Sequence, residues 1–139
     1  ASDVYKRQGY HDNFDLHTSH VLPAMIRKFH EAKENNNSPV TLWGTGEPMR
    51  EFLFVDDMAE AVVFALENKL SEHFYNVGSG KEINIKTLAQ TIQKITGHVG
   101  QIMWDRTKPD GSPRKLLDVS KMKAIGWQSY YVLGPFLLG

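Results

Sequence analysis

The sequence predicts an α/β fold built of short strands and helices, and three observations carry that prediction. Apolar residues recur at helical spacing in several segments. Short β-rich runs alternate with them. The breaks between segments fall at Gly, Pro and Asn clusters. Taken in order, residues 1–8 show no clear period and read as a terminal extension, and residues 9–19 read as a polar loop containing His11, Asp12, Asn13, His17 and Ser19. A helix should follow to about Glu34, with Val21, Leu22, Met25, Ile26 and Phe29 as its stripe. Pro23 is acceptable there only in the first turn. The run 35–39, three Asn, Ser and Pro, should end the helix.

Residues 40–43 read as a strand. Residues 50–55 read as a second one, with Phe52 and Phe54 on one face and Leu53 and Val55 on the other, which implies burial on both sides. Asp57 with Glu60 three residues later reads as a capping box. The helix it opens should run to about Lys69, with Met58, Val62, Ala65 and Leu66 inward. Residues 73–77 read as a strand closed by Gly78, Ser79 and Gly80. Leu88, Ile92 and Ile95 mark another helix, stopped by Gly97. Residues 101–104 read as a strand and 105–115 as a polar loop. Asp118 should then cap a short helix, with Val119, Met122 and Ile125 inward and Gly126 at its end.

Length and composition bound the function. A chain of 139 residues has room for one domain with a core, and 41% apolar with 23% charged residues is ordinary for a globular chain. Lys+Arg and Asp+Glu are both 16, so the formal net charge is zero, which argues against general binding to nucleic acid or anionic membrane. No apolar run is long enough to span a bilayer and no secretory signal is visible, so a cytoplasmic setting is expected. The absence of Cys excludes disulfides, thiolate metal sites and Cys nucleophiles within this stretch. No Gly-rich strand-to-helix turn of the dinucleotide type occurs. Gly78-Ser79-Gly80 is the nearest run, and it lacks the third glycine.

Three places carry candidate chemistry. Trp43 and Arg50 sit seven residues apart across a Gly/Pro turn. Trp offers a flat face to a base or sugar, and Arg a planar fork to phosphate. The plainer alternative is a hairpin with a core Trp and a solvated Arg. His20 stands at the mouth of a helix, and imidazole exchanges protons near physiological pH. The alternative there is a helix-start residue bonded to backbone. The run from Lys108 to Lys115 places three cations around a Pro-Asp-Gly turn, a pattern that can wrap a diphosphate or can be simply a solvated loop. Lys28 is a helix lysine of the kind that is mostly solvated. Asp56 and Asp57 read as helix-start residues rather than a metal pair, since no third ligand lies at metal spacing.

Taken jointly, His11-Asp12-Asn13-Phe14, Ser19-His20-Val21, Trp43-Gly44 through Met49-Arg50-Glu51-Phe52, Val55-Asp56-Asp57-Met58-Ala59, and Lys108-Pro109-Asp110-Gly111 through Arg114-Lys115-Leu116-Leu117-Asp118 resemble the C-terminal part of the GDP-L-fucose synthase family. That family lies within the extended short-chain dehydrogenase/reductases. The resemblance covers residues 9–127, which it implies to be the GDP-sugar substrate-binding region. Residues 1–8 are then a non-family extension and 128–139 a divergent tail. It implies a C-terminal substrate-binding part whose N-terminal Rossmann domain is largely missing. The activity implied is an NADPH-dependent 3,5-epimerase/4-reductase converting GDP-4-keto-6-deoxy-D-mannose to GDP-L-fucose, inactive as this stretch alone. NADP(H) would be bound mainly by the missing domain, and the full-length protein would be a homodimer that engages neither nucleic acid nor membrane. His20 matches the family's epimerisation proton donor and also lies near its cofactor. Trp43, Arg50, Asp110 and Lys115 match residues lining the GDP-sugar site. Lys28 stands where the family has a substrate-contacting Arg, keeping the charge without the bidentate fork. Two other readings stay open: a nucleotide-sugar-binding module without catalysis, and a sister NAD(P)-dependent sugar-nucleotide epimerase or dehydratase.

Overall fold

A computed structural model describes residues 11–131. The proposed extension 1–8 and most of the tail 128–139 lie outside them. In chain order the elements are α1 (Val21–Glu34), β1 (Val40–Trp43), β2 (Met49–Glu51), α2 (Val55–Glu67), β3 (Glu82–Asn84), α3 (Ile85–Thr96), β4 (Ile102–Asp105), β5 (Arg114–Lys115) and α4 (Ser120–Ala124). The described residues divide into two compact units: residues 11–49 with 83–114, and residues 50–82 with 115–131. Three short strands form a sheet ordered β3-β2-β5.

In the first unit β1 and β4 pair in parallel, Val40 opposite Ile102 and Trp43 opposite Asp105. Helices α1 and α3 pack on each other. Met25, Phe29 and Ala32 of α1, Val40 and Leu42 of β1, and Leu88, Ala89 and Ile92 of α3 are buried. Local chemistry fixes the helix ends. Pro23 falls in the first turn of α1, where its missing N–H costs nothing. After α1, Asn36 and Asn37 take positive φ, a region Asn enters more readily than most residues. Asn84 caps α3 by accepting the Thr87 N–H at 2.7 Å. Gly97 closes α3 at φ 71, where a left-handed residue is needed. Buried His98 is held by Gln93 on one ring nitrogen and the Ser38 carbonyl on the other, with its edge against Phe29.

The second unit has a small core of Ala61, Met122 and Trp127, flanked by Leu53, Phe64, Tyr75 and Val77. Several expectations for this unit are corrected. The strand proposed for residues 50–55 is only the end of β2, because helix α2 already begins at Val55. Its neighbours β3 and β5 are three and two residues long, so the ladder offers partners no further. Phe54 is exposed rather than buried.

Asp57 is not the N-cap of α2. Phe54 is, without a side-chain bond, while Asp57 sits inside the first turn, fully buried. Its two carboxylate oxygens accept the backbone N–H groups of Tyr130 and Tyr131 at 2.9 and 3.0 Å. A carboxylate so buried requires such donors. Helix α2 turns Asp57, Ala61 and Phe64 inward, so Val62 and Leu66 face outward instead of lining the core. Residues 73–77 form no strand, having no ladder partner among the described residues.

At the C-terminal side Lys115 lies in β5 rather than in a loop. Val119 rather than Asp118 caps α4. Asp118 accepts the Ser120 N–H at 2.9 Å, and Ile125 is exposed.

Candidate functional site

The geometry of the first unit centres on the turn after β1. Trp43 is the last residue of that strand, and its side chain is 65% exposed, which excludes a core anchor. The strand pairing carries one step further, with Gly44 N–H donating to the Asp105 carbonyl at 2.9 Å. Gly44 takes φ 81 to turn the chain. Asp110 then clamps the turn, one carboxylate oxygen accepting the Thr45 N–H at 2.6 Å and the other the Thr45 hydroxyl at 2.7 Å. A Cβ on Gly44 would sit 2.1 Å from that Asp110 oxygen, so both the backbone angle and the close approach demand glycine here.

Two ammonium groups flank the Trp43 ring: Lys28 Nζ at 5.9 Å and Lys108 Nζ at 5.5 Å from its centroid. Lys28 reaches there from the middle of α1 and donates to the Thr41 carbonyl at 3.3 Å. Lys108 is presented by the loop that follows β4. Asp105 shapes the start of that loop, accepting the Thr107 hydroxyl and the Thr107 N–H. Those bonds, with weaker help from the Lys108 charge, hold the Asp105 carboxyl below the usual range. The structure thus brings Lys28, Trp43, Lys108 and Asp110 together in one unit. A cleft of about 380 Å³ on the same unit is lined by Lys28, Glu31, Asn35 and Thr41, but not by Trp43 or Lys108. The exposed aromatic face flanked by cations is the stronger recognition feature, since it has both a stacking surface and charge.

His20 occupies the N-cap position of α1, with extended backbone and no side-chain capping bond. Its imidazole is exposed. The loop ahead of it is organised by Asp15, which accepts the His17 N–H, the Thr18 N–H and the Thr18 hydroxyl. The Ser19 hydroxyl beside it is buried and finds no partner among the described residues.

In the second unit Arg50 is half-buried in β2 and Lys115 exposed in β5. Between these strands Glu51 does what sequence reasoning missed. One carboxylate oxygen accepts the Gly80 N–H at 2.7 Å and the other the Leu117 N–H at 2.9 Å, so a single side chain ties the 78–80 turn to the stretch after β5. Thr45 was missed for the same reason: a partner 65 residues away leaves no local signal, although its place between two glycines marks a tight turn. No group of His, Asp or Glu among the described residues is arranged to hold a metal ion.

A sequence model described as the NAD dependent epimerase/dehydratase family matches residues 4–78, more than half of the chain. The chain belongs to this family. It is 51% identical over 119 residues to GDP-L-fucose synthase 1 of Arabidopsis thaliana, covering 86% of this chain and 37% of that protein. It is 47% identical over 129 residues to the GDP-L-fucose synthase of Escherichia coli K12, covering 86% and 40%. Among solved structures, a GDP-L-fucose synthetase of Naegleria fowleri bound to NADP superposes with a TM-score of 0.86 at 28% identity, over 94% of this chain and 41% of the other. The chain has the epimerase-type short-chain dehydrogenase/reductase fold, and it spans about two-fifths of the length of these relatives.

Proposed function

We propose that this chain forms the GDP-sugar-binding portion of an NADPH-dependent epimerase-reductase that converts GDP-4-keto-6-deoxy-D-mannose to GDP-L-fucose. The observation that carries the reading is the exposed Trp43 face flanked by Lys28 and Lys108 and held by the Asp110–Thr45 clamp. An aromatic face with ammonium groups beside it suits a ligand that combines flat or sugar surface with diphosphate charge. Arg50 and Lys115 are assigned to the same ligand, Arg50 as the fork for phosphate oxygens. A ketone at C4 acidifies the C–H bonds at C3 and C5. A base takes each proton and an acid returns it on the other face, the role assigned to His20. NADPH, when bound, supplies the hydride that reduces C4, and the cofactor half ahead of this chain is assigned most of its contacts. The protein is assigned to the cytoplasm and, at full length, to a homodimer.

The test is a titration of GDP into the 139-residue chain, followed by Trp fluorescence. Of the three tryptophans Trp127 is buried and Trp104 half-buried, so the response comes chiefly from Trp43. With hydrated, screened charges and no second half to close the site, affinity is expected near the millimolar range, about −4 kcal/mol. Trp43→Phe should remove the signal, and Arg50→Ala and Lys108→Ala should each weaken binding. Asp110→Ala should weaken it indirectly by freeing the turn. An undiminished response in Trp43→Phe, or unchanged affinity in both charge variants, would refute the placement.

A further inference from the structure

The Gly78-Ser79-Gly80 turn lacks the third glycine of a dinucleotide loop, yet it forms one wall of a cavity inside the second unit. The cavity measures about 280 Å³, and Lys81, Lys123, Gln128 and Ser129 line it together with buried Trp127. The turn itself is already satisfied. Gly80 N–H donates to Glu51 at 2.7 Å, and Lys81 N–H donates to the Ser79 hydroxyl at 3.3 Å. It therefore has little backbone left to cradle a ligand, unlike a phosphate loop. The side chains differ. Neither lysine ammonium has a carboxylate or carbonyl partner among the described residues, and the Gln128 amide and Ser129 hydroxyl have no partner there either. Four polar groups without partners thus converge on one small space beside an indole.

We propose that this cavity binds a phosphate group, either orthophosphate or the monoester of a single sugar, with Lys81 and Lys123 as its counter-charges. Ammonium groups only donate, and an amide and a hydroxyl can both donate, so the set is rich in donors. A phosphate dianion offers acceptors alone and forms charge-assisted bonds with such a set. Two like charges around one cavity repel each other, and an anion between them removes that cost. Glu51, which reaches the turn, adds one negative charge against two positive ones, and its oxygens are engaged by the Gly80 and Leu117 N–H groups. Size limits the ligand further. Pockets for drug-sized ligands begin at roughly 300 Å³, so this one suits a phosphate carrying at most one sugar ring and excludes a whole nucleoside diphosphate. Trp127 offers such a ring an aromatic neighbour. Lys28, Trp43, Arg50, Lys108 and Lys115 do not line the cavity, so the inference does not rest on the GDP-sugar reading.

The test is a titration of inorganic phosphate into the isotope-labelled 139-residue chain, followed by amide NMR at ionic strength held constant with chloride. Amides of residues 79–81, 123 and 127–129 should shift and saturate in roughly the millimolar range. Lys81 and Lys123 are exposed, so substituting them should spare the fold, which the remaining amide signals check. Lys81→Ala and Lys123→Ala should each weaken binding by roughly three- to ten-fold, and Lys81→Arg should keep most of it. A hexose monophosphate, with the free hexose as control, separates the two sources. Tighter binding than orthophosphate assigns the site to a phosphorylated sugar, and equal binding assigns it to the ion. Absence of shifts, shifts that chloride reproduces, or shifts that survive both alanine variants overturn the proposal. Lys108→Ala, which should weaken GDP binding, should leave the phosphate shifts intact. Their loss in that variant would move the phosphate to the GDP-sugar site and also overturn the proposal, so the two readings fail separately.

Discussion

His20, the proposed proton donor, stands at the start of α1 without serving the fold through its side chain. It sits at the N-cap of α1, yet its side chain makes no capping bond and its ring is exposed. A cap of Ser, Asp or Asn would have tied its oxygen to a helix N–H. His gives up that stabilisation and leaves the imidazole available. In an enzyme with the cofactor half joined ahead of this chain, His20→Gln should therefore fold normally and slow epimerisation by about 10²- to 10⁴-fold. Reduction of an already epimerised 4-ketone should be retained. Solvent deuterium incorporation at C3 and C5, measured against NADPH consumption, separates the two steps. Equal loss of both would assign His20 a structural role. Trp43 shows the opposite arrangement, since its neighbours are fixed. Asp110 holds the turn behind it and Lys28 donates to the Thr41 carbonyl, an arrangement that would present the aromatic face in advance to the proposed ligand.

Among the elements, α3 has the most complete local signals. Asn84 accepts the Thr87 N–H, Leu88, Ala89 and Ile92 are buried, and Gly97 ends the helix in the left-handed region. Asn84→Ala should destabilise the chain by about 0.5–2 kcal/mol, measured as a lower urea midpoint with unchanged slope. Asn84→Asp should retain most of the stability, because its carboxylate accepts the same bond. α1, β1 and α3 were legible in the sequence because their signals lie within a dozen residues: a periodic stripe, a Pro in the first turn, an Asn run, a Gly stop. α2 was misread because Asp57 followed by Glu60 imitates a cap, while the true role of Asp57 is set by the N–H groups of Tyr130 and Tyr131, more than 70 residues on. Residues 73–77 have strand composition, but a strand exists only where a partner pairs with it. The Trp43 and Lys108 pairing likewise depends on β1 and β4 lying side by side, and only the residue types were visible beforehand.

Across the whole molecule, loop carboxylates tie stability to pH. Asp15 is held below the ordinary aspartate value of 3.8 by the His17 N–H, then by Thr18. Asp105 is lowered by the Thr107 hydroxyl and N–H, and Asp118 by Ser120. Each donor favours the charged form, so the folded chain releases these protons more readily than the unfolded one. The unfolded state then binds more protons, and stability rises with pH across this range. The contribution is fully present above the unfolded value of 3.8 and is lost as pH falls through the lower folded values. All three groups are solvent-accessible, so each effect is modest, and the hydrogen bonds rather than long-range charge dominate. Asp15 and Asp105 lie in one unit and Asp118 in the other, so both units should weaken in acid. The urea midpoint should be steady from about pH 7 to 5 and fall between about pH 4 and 2. Combining Asp15→Asn, Asp105→Asn and Asp118→Asn should lower the midpoint at neutral pH and flatten the acid limb. An acid limb as steep in the triple variant as in the parent would place the proton-linked groups elsewhere.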